Sequence, residues 1–325
     1  MRSTGTHQSE ARVLLARAQA GDERAFRELV EPYRRALQVH CYRMLGSPHD
    51  AEDVVQETLL RAWRALERFE LRASVKTWLY RIATNACLDE IERRGSRPER
   101  VEPFPTELQD QAASPTYDPA ARYALREGME LALLSAIQLL PGRQRAVLIL
   151  HDVLGWTGPE VATLLDATVA SANSALQRAR ATIDAALPER STAPIDGDER
   201  DLLRRYVEVW NSGDIERLVG LLRDDAVIRM PPQPDLVGAR QVVRFMQAVG
   251  AGAEFKQMRL TAAWSNGRPA VVAQLVASDG SVHPHGVLVL EIRAGRIASY
   301  DAFIESRFLP RFGFPAEPTR ATLST

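Results

Sequence analysis

The sequence predicts a multidomain protein in which two all-α domains are followed by one α+β domain. Two proline-containing stretches without sustained hydrophobic periodicity, at 96–121 and 188–198, separate the three parts. Beyond Asp198 the pattern changes from helical periodicity alone to a helical hairpin followed by short strand-like runs. We therefore expect domains at 10–95, 122–187 and 199–314, joined by the two linkers.

Composition places the chain among ordinary globular proteins. Of its 325 residues 45% are hydrophobic and 26% are charged, and no apolar run approaches the ~20 residues of a membrane span. The polar N-terminus lacks the apolar stretch of a signal peptide, so we expect a cytoplasmic protein that does not contact membranes. Cys41 and Cys87 form no cluster with histidine, which favours buried thiols and predicts neither a metal nor another cofactor.

The first all-α domain contains helices over 12–30, with a break at Gly21-Asp22, and over 32–45, 50–66 and 74–93. The third helix opens with an acidic face formed by Glu52, Asp53, Gln56 and Glu57. Like charges four residues apart cost an isolated helix a few tenths of a kcal/mol. Either these acids are a solvated first turn that suits the helix dipole, or they face a basic partner.

The fourth helix combines basic, aromatic and amide side chains on its predicted outer side. Its inner stripe is Val75, Leu79, Ile82, Ala83 and Ala86, and its outer rows are Lys76, Tyr80, Thr84, Thr77, Arg81 and Asn85. Cations neutralise phosphates and aromatic faces take up unstacked bases, so this pattern indicates binding of single-stranded or melted nucleic acid. Trp78 belongs either to that surface or to the core.

The second all-α domain ends in two short helices joined by a tight turn. Thr157 and Glu160 form a capping-box pattern, with Pro159 in the first turn. The next helix has an apolar stripe of Val169, Ala172, Leu176, Ala179 and Ile183. Its other side is polar and suits a helix that enters a DNA major groove: Ser171, Asn173, Ser174, Gln177, Arg178 and Arg180. This is either a helix-turn-helix or an ordinary αα-hairpin.

The C-terminal domain has strand-like runs at 226–230, 257–264, 269–277, 286–293 and 297–304, with one helix near 239–249. Alternation places Asp301 on one face with Ile297, Ser299 and Phe303, and groups His283, His285, Val287 and Val289 on one face of the preceding strand. An acid in an apolar pocket would have a raised pKa and could act as a general base. Alternatively, Asp301 lies at the sheet rim and the histidines edge a turn.

These three blocks, in this order, resemble the extracytoplasmic-function (ECF) sigma factors of the sigma-70 family that carry a C-terminal SnoaL-like domain of the NTF2-like fold. Asp50–Trp63 is similar to region 2.2, and Lys76–Asn85, continuing through Asp89, is similar to regions 2.3 and 2.4. Leu140–Leu148 and the helix-turn-helix are similar to region 4.

The resemblance implies a non-catalytic initiation factor whose partners are core RNA polymerase and promoter DNA. Polymerase would bind through its β′ clamp helices, on Asp50, Glu52, Asp53, Gln56 and Glu57, and through its β flap. The −10 element would be read and melted by Phe69, Arg72, Lys76, Trp78, Tyr80, Arg81 and Asn85, and the −35 element would be read by the polar side of the recognition helix. Because polymerase supplies much of the DNA affinity, the net charge of −1 is compatible with this role.

For the C-terminal domain the resemblance implies a cone in which a curved antiparallel sheet encloses an apolar pocket. The pocket candidates are Trp210, His283, His285, Asp301 and Phe303, and a small molecule would be a further partner. We expect a fused regulatory or ligand-sensing module; the alternative is a bifunctional SnoaL-like isomerase, cyclase or hydrolase with a DNA-tethering helical part. Leu71-Arg72-Ala73 lacks the glycine of many relatives, and Asn173 and Ala175 stand where basic residues are common, so the promoter sequence stays open.

Overall fold

The computed structural model describes residues 4–70, 74–95, 101–105, 131–186, 197–230, 233–250 and 255–320. They form two compact units. The first contains the helices as far as Ala186, and the second contains the C-terminal domain together with Glu102–Pro105. Among the described residues, no helix combines the length and the apolarity that crossing a bilayer requires.

Four helices build the first half of the first unit: α1 (Thr4–Gln19), α2 (Glu23–Leu45), α3 (Pro48–Ala65) and α4 (Val75–Arg94), with a 3-10 turn at Leu66–Arg68. The predicted starts and stops have local causes. Asp22 accepts hydrogen bonds from the first amides of α2. Gly46 ends that helix with a φ of 75°, a left-handed conformation that glycine adopts more readily than residues with a Cβ. Ser74 caps α4 through the amide of Thr77.

The second half of this unit consists of α5 (Leu131–Gln138), α6 (Gly142–Leu148), a π-helical turn (Ile149–Val153), α7 (Gly158–Leu164) and α8 (Val169–Ala186). The capping box predicted at Thr157 and Glu160 is present. On α8 the buried stripe is Ala172, Ala175, Leu176, Ala179 and Ile183. Val169 was predicted to be buried but is 42% exposed, because its neighbour on α7 is Gly158, which has no side chain to cover it.

A buried arginine ties the two halves of the first unit together. Arg145 on α6 is 3% exposed and donates to the carbonyl oxygen of Met44, near the end of α2. It also donates to Gln138, whose side-chain amide donates to the carbonyl of Arg43 at 3.0 Å. The last carbonyls of a helix carry partial negative charge, so α2 and α5 offer the guanidinium a favourable environment.

The second unit begins with α9 (Gly197–Ser212), α10 (Ile215–Leu221), β1 (Leu222–Met230), β2 (Gln233–Val237) and α11 (Ala239–Gly250). It continues with β3 (Phe255–Ser265), β4 (Arg268–Ala277), β5 (Ser281–Arg293), β6 (Arg296–Phe303), a 3-10 segment (Ser306–Phe312) and β7 (Thr319–Arg320). The sheet order is β2-β1-β6-β5-β4-β3, with β7 paired to β5. The sheet is mixed rather than wholly antiparallel, because β1 runs parallel to β6. The crossover through α11 carries the chain to the far edge, and the β3–β6 meander then returns beside β1.

The core of this unit lies between the helices and one face of the sheet. Its buried members include Leu203, Tyr206, Trp210, Val243, Leu260, Leu288, Leu290 and Tyr300. The opposite face is also apolar, with Val272, Val287, Val289 and Phe303 buried. On that face Phe308 of the 3-10 segment makes an edge-on contact with Phe303, with ring centroids 5.9 Å apart.

Candidate polymerase and nucleic-acid interfaces

The acidic start of α3 divides into paired and exposed side chains. Asp50 pairs with Arg94 at 2.5 Å, Glu52 accepts from Gln38 at 3.2 Å, and Glu57 accepts from Arg61 at 2.8 Å. Burial alone would raise the pKa of Asp50, but the hydrogen bonds from Arg94 and Ser47 outweigh it, so the pKa lies below its ordinary value. Three of the four predicted acids therefore pair with side chains of the protein itself.

On α3, Asp53, Gln56 and Leu60 are exposed, together with His49 and Arg64 near the two ends of the helix. The Asp53 side chain is 64% exposed, and Leu60 is an exposed large apolar residue at 51%. These positions follow one another at spacings of three and four residues, so they lie on one side of the helix. The sequence analysis missed Leu60, although its spacing from the acids was the available signal. An apolar residue beside acids is suited to a partner that offers both basic and apolar groups.

The predicted outer surface of α4 is only partly exposed. Arg81 and Asn85 are exposed and Lys76 is half-buried, whereas Arg72 lies outside the described residues. Phe69 and Trp78 stack on each other, with ring centroids 4.3 Å apart and planes 19° apart.

Tyr80 and Thr84 were predicted to lie outside but are buried at 2% and 0% exposure. Thr84 bonds the imidazole of His40 on α2, at 2.9 Å. The Tyr80 ring lies 5.1 Å from His40 and 5.6 Å from Trp156. Helical periodicity identified the side of α4 that packs against the first all-α domain. Trp156, from the second all-α domain, covers part of the opposite side of α4 at Tyr80.

The six predicted −35 residues are all exposed along α8, which brings them to one continuous surface. Arg180 differs from the others because Asp152 of the π-helical turn holds it through two hydrogen bonds, of 2.9 and 2.5 Å. Burial alone would raise the pKa of Asp152, but its bonds to Arg180 and His151 lower it overall. Asp152 thus fixes the direction of a cationic side chain on the recognition helix. Sequence reasoning missed it, because its partner is 28 positions away.

The predicted pocket of the C-terminal domain is not assembled, because two β-bulges shift the pleat of the sheet. In β5, His283 pairs with Leu275 whereas Gly286 pairs with Ala273, so the extra residue His285 breaks the alternation. His283 therefore lies on the opposite face from Val287 and Val289, and the predicted grouping is wrong.

A second bulge lies where Glu291 and Ile292 of β5 pair with β6. It places Ile297 on the opposite face of the sheet from Ser299. Tyr300 and Ala302 face the core, which places Asp301 and Phe303 on the other side of the sheet. Trp210 belongs to the core, where its indole donates to the carbonyl of Met258 at 2.8 Å. Trp210 and His283 thus lie on the core side of the sheet, whereas Asp301 and Phe303 lie on the opposite face.

A short segment of the first linker binds to the second unit. The Phe104 amide donates to Ser265 Oγ at 3.2 Å, and the Asn266 amide donates to the Phe104 carbonyl at 3.1 Å. Pro105 forms a bridge with Ser265, and the Phe104 side chain is only 2% exposed. The sequence analysis assigned this segment to the linker at 96–121 and predicted no contact for it. Its only signal was an aromatic residue between two prolines, which favour extended backbone.

Comparison with known proteins follows the same division of the chain. Family models match sigma-70 region 2 at 29–97, sigma-70 region 4 at 130–183 and a SnoaL-like domain at 203–300. Together with the helical fold and the helix-turn-helix, these matches define a sigma-70-type transcription initiation factor with a fused C-terminal domain.

The chain is similar along most of its length to the ECF RNA polymerase sigma factor SigG of Mycobacterium tuberculosis. The two are 40% identical over 323 residues, which cover 90% of this chain and 85% of the relative. The RNA polymerase sigma-H factor of Pseudomonas aeruginosa is 33% identical over 184 residues, or 55% of this chain and 95% of that one. The crystal structure of the M. tuberculosis ECF sigma factor SigJ shares the fold, with a TM-score of 0.57 and 22% identity over 87% of this chain and 98% of that chain.

The protein belongs to the ECF RNA polymerase sigma factors. The predicted family and the predicted initiation function are thereby confirmed. The chain binds core RNA polymerase and directs transcription from promoters, as a non-catalytic factor.

Proposed function

We propose that the C-terminal domain regulates this sigma factor by binding the linker between regions 2 and 4. The observation that carries the proposal is the burial of Phe104 beside the β3–β4 turn, with backbone hydrogen bonds to Ser265 and Asn266. Arg307 adds a bond to Glu102 at 2.9 Å on the same segment. A linker held at this point has fewer conformations open to it, so the separations available to regions 2 and 4 are restricted.

The exposed side of α3 is the proposed docking surface for the β′ clamp helices. Asp53 and Gln56 supply polar contacts, and Leu60 supplies an apolar contact that becomes buried in the complex. Region 4 would in turn bind the β flap. The paired acids Asp50 and Glu57 would fix the position of α3 relative to α4 rather than contact polymerase.

The −10 element is assigned to α4, through Arg81, Asn85 and the partly exposed Trp78, which stacks on the buried Phe69, and the −35 element is assigned to α8. Aromatic faces next to cations suit an unpaired strand, whereas polar side chains on a helix suit the major groove. The small-molecule ligand of the C-terminal domain stays a prediction from the sequence.

The regulatory proposal is tested by transcription of fragmented genomic DNA with core polymerase, followed by mapping of RNA 5′ ends. The full chain and a chain ending at Leu187 should both produce starts with shared upstream elements, but in different amounts. If truncation leaves polymerase affinity, promoter binding and transcription unchanged, the C-terminal domain does not regulate. If neither form produces specific starts, the assignment of the DNA-reading surfaces fails.

The polymerase surface is tested in the same reaction with Asp53→Arg. Asp201→Arg is a matched control, because the two aspartate side chains are 64% and 62% exposed and both substitutions add the same charge. The Asp53 variant should lose affinity for core polymerase, while the Asp201 variant should retain it. Equal affinities would remove α3 from the interface.

A further inference from the structure

We propose that Gln19, the last residue of α1, is a positioning residue for capture of the melted −10 strand. Its side chain holds the 3-10 turn Leu66–Arg68 and the residue after it, Phe69, which in turn supports Trp78 on α4. The proposal rests on the assignment of α4 to the −10 element. It adds a residue that acts on the strand through its neighbours.

The side-chain amide of Gln19 bonds the protein backbone on both sides of the 3-10 turn. Its Nε2 donates to the carbonyl oxygen of Leu66 and to that of Phe69, at 3.0 Å each. An amide nitrogen carries two hydrogens, so both are used. The acceptors lie 47 and 50 positions along the chain, and the two bonds therefore tie α1 to the segment between α3 and α4.

The end of α1 that carries this donor is itself held in place. Leu15 and Ala18 of the same helix are buried, and α1 packs against α2. Arg17 donates to Asp22 at 3.0 and 2.6 Å, and Asp22 caps α2. Because the donor is already positioned, it loses little conformational freedom on bonding and can fix the position of its acceptors.

Phe69 connects this fixed backbone to the surface of α4. Its side chain is 8% exposed and stacks on Trp78, with ring centroids 4.3 Å apart. Trp78 is partly exposed, so one part of the indole rests on Phe69 while another part is accessible to a base. Stacking on a base requires a suitable orientation of the ring plane. A shift of the Phe69 backbone would therefore change the surface that an unpaired base meets.

The two acceptors define the substitutions that test position 19. Both acceptors are carbonyl oxygens, so only a side chain with a donor can replace glutamine. Gln19→Met keeps a similar length and zero charge but removes the donor. Gln19→Lys restores a donor with three hydrogens. Gln241→Met is the matched control, because Gln241 is an exposed glutamine on α11 of the C-terminal domain.

The first measurement is the affinity of the holoenzyme for a labelled single strand of about twelve nucleotides that carries the −10 sequence of a mapped promoter. Gln19→Met should bind it about five- to thirtyfold more weakly than wild type, the factor that one or two hydrogen bonds contribute. Gln241→Met should bind like wild type.

Gln19→Lys should recover most of the strand affinity and should show the wild-type salt dependence. A lysine that recovered affinity by contacting phosphate would instead increase the slope of log affinity against log salt by about one. Recovery with that steeper slope would overturn the positioning role.

The second measurement separates positioning from folding. At a temperature well below unfolding, the affinity of Gln19→Met for core polymerase should equal that of wild type, because the exposed side of α3 is unchanged. A residue that only stabilised the fold would leave the strand affinity unchanged under these conditions, and that result would overturn the proposal. Equal losses of polymerase and strand affinity would overturn it as well.

A double-mutant cycle tests whether Gln19 acts through Trp78. If it does, Gln19→Met should weaken strand binding in wild type but add little in a Trp78→Ala background. Equal losses in both backgrounds would overturn the proposal while leaving the assignment of α4 intact. If Trp78→Ala alone binds the strand like wild type, the assignment of the −10 element to this ring fails, and the positioning role falls with it.

Discussion

Replacement of Phe104 by alanine should release the linker from the C-terminal domain without unfolding it. Full burial of a phenylalanine side chain contributes about 1.5–3 kcal/mol, and Phe104 is 2% exposed. Truncation to the Cβ should therefore cost the docked state about 2 kcal/mol. Since 1.4 kcal/mol is a factor of ten, the equilibrium between docked and released linker should shift about 30-fold.

Amide hydrogen exchange reports this equilibrium directly, because the Asn266 amide donates to the Phe104 carbonyl at 3.1 Å. Its exchange should accelerate about 30-fold in Phe104→Ala. The Leu260 amide is the internal control: it donates to the side chain of Asn211 at 3.1 Å within the same domain and should keep its rate. Unchanged exchange at Asn266 would refute the docking argument, and equal acceleration at Leu260 would show general destabilisation instead.

Two further predictions concern stability. Burial, with a smaller effect of Arg43, lowers the pKa of His40 from 6.5 to about 3, so between these values the unfolded chain binds a proton that the folded chain does not. When the pH is lowered from about 7.5 to about 5, the free energy of unfolding of wild type should thus fall by about 2 kcal/mol more than that of His40→Gln. Denaturant titrations that follow the first unit measure this difference, and equal losses would exclude His40 as the cause. In the C-terminal domain, a Cβ on Gly286 would lie 2.4 Å from the Phe303 carbonyl oxygen, so Gly286→Ala should lower the thermal midpoint. Gly220 is in a helix and a Cβ there would meet no neighbouring atom, so Gly220→Ala should add about 0.5–1 kcal/mol to the free energy of unfolding and raise the midpoint. An unchanged midpoint in Gly286→Ala would contradict the close approach of Gly286 to the Phe303 carbonyl.

Local signals in the sequence were sufficient for the helices of both all-α domains. The break at Gly21-Asp22, the turn at Gly46 and the capping box at Thr157 each act on neighbouring residues, so their effect can be predicted without the fold. The exposed side of α8 followed from the same periodicity. Tyr80 was assigned wrongly because periodicity gives the sides of a helix but not the number of elements that pack against it.

The C-terminal domain shows the limit of the same reasoning. Its strands were found by alternation, but a bulge shifts the later side chains by one position. His283 therefore lies on the opposite face from Val287 and Val289, and Ile297 lies on the opposite face from Ser299, Asp301 and Phe303. A bulge is set by pairing with another strand, which the residues of one strand do not encode.

The sequence by itself determined the kind of protein: an acidic helix, a basic and aromatic helix and a helix-turn-helix, in the order of an ECF sigma factor with a fused domain. Only the tertiary structure decided which of those side chains are available to partners. Asp166 meets Arg81 across 85 positions, and Phe104 meets Ser265 across 161. Contacts over such separations depend on how whole elements pack. The residues near each partner carry no sequence pattern that identifies the other partner.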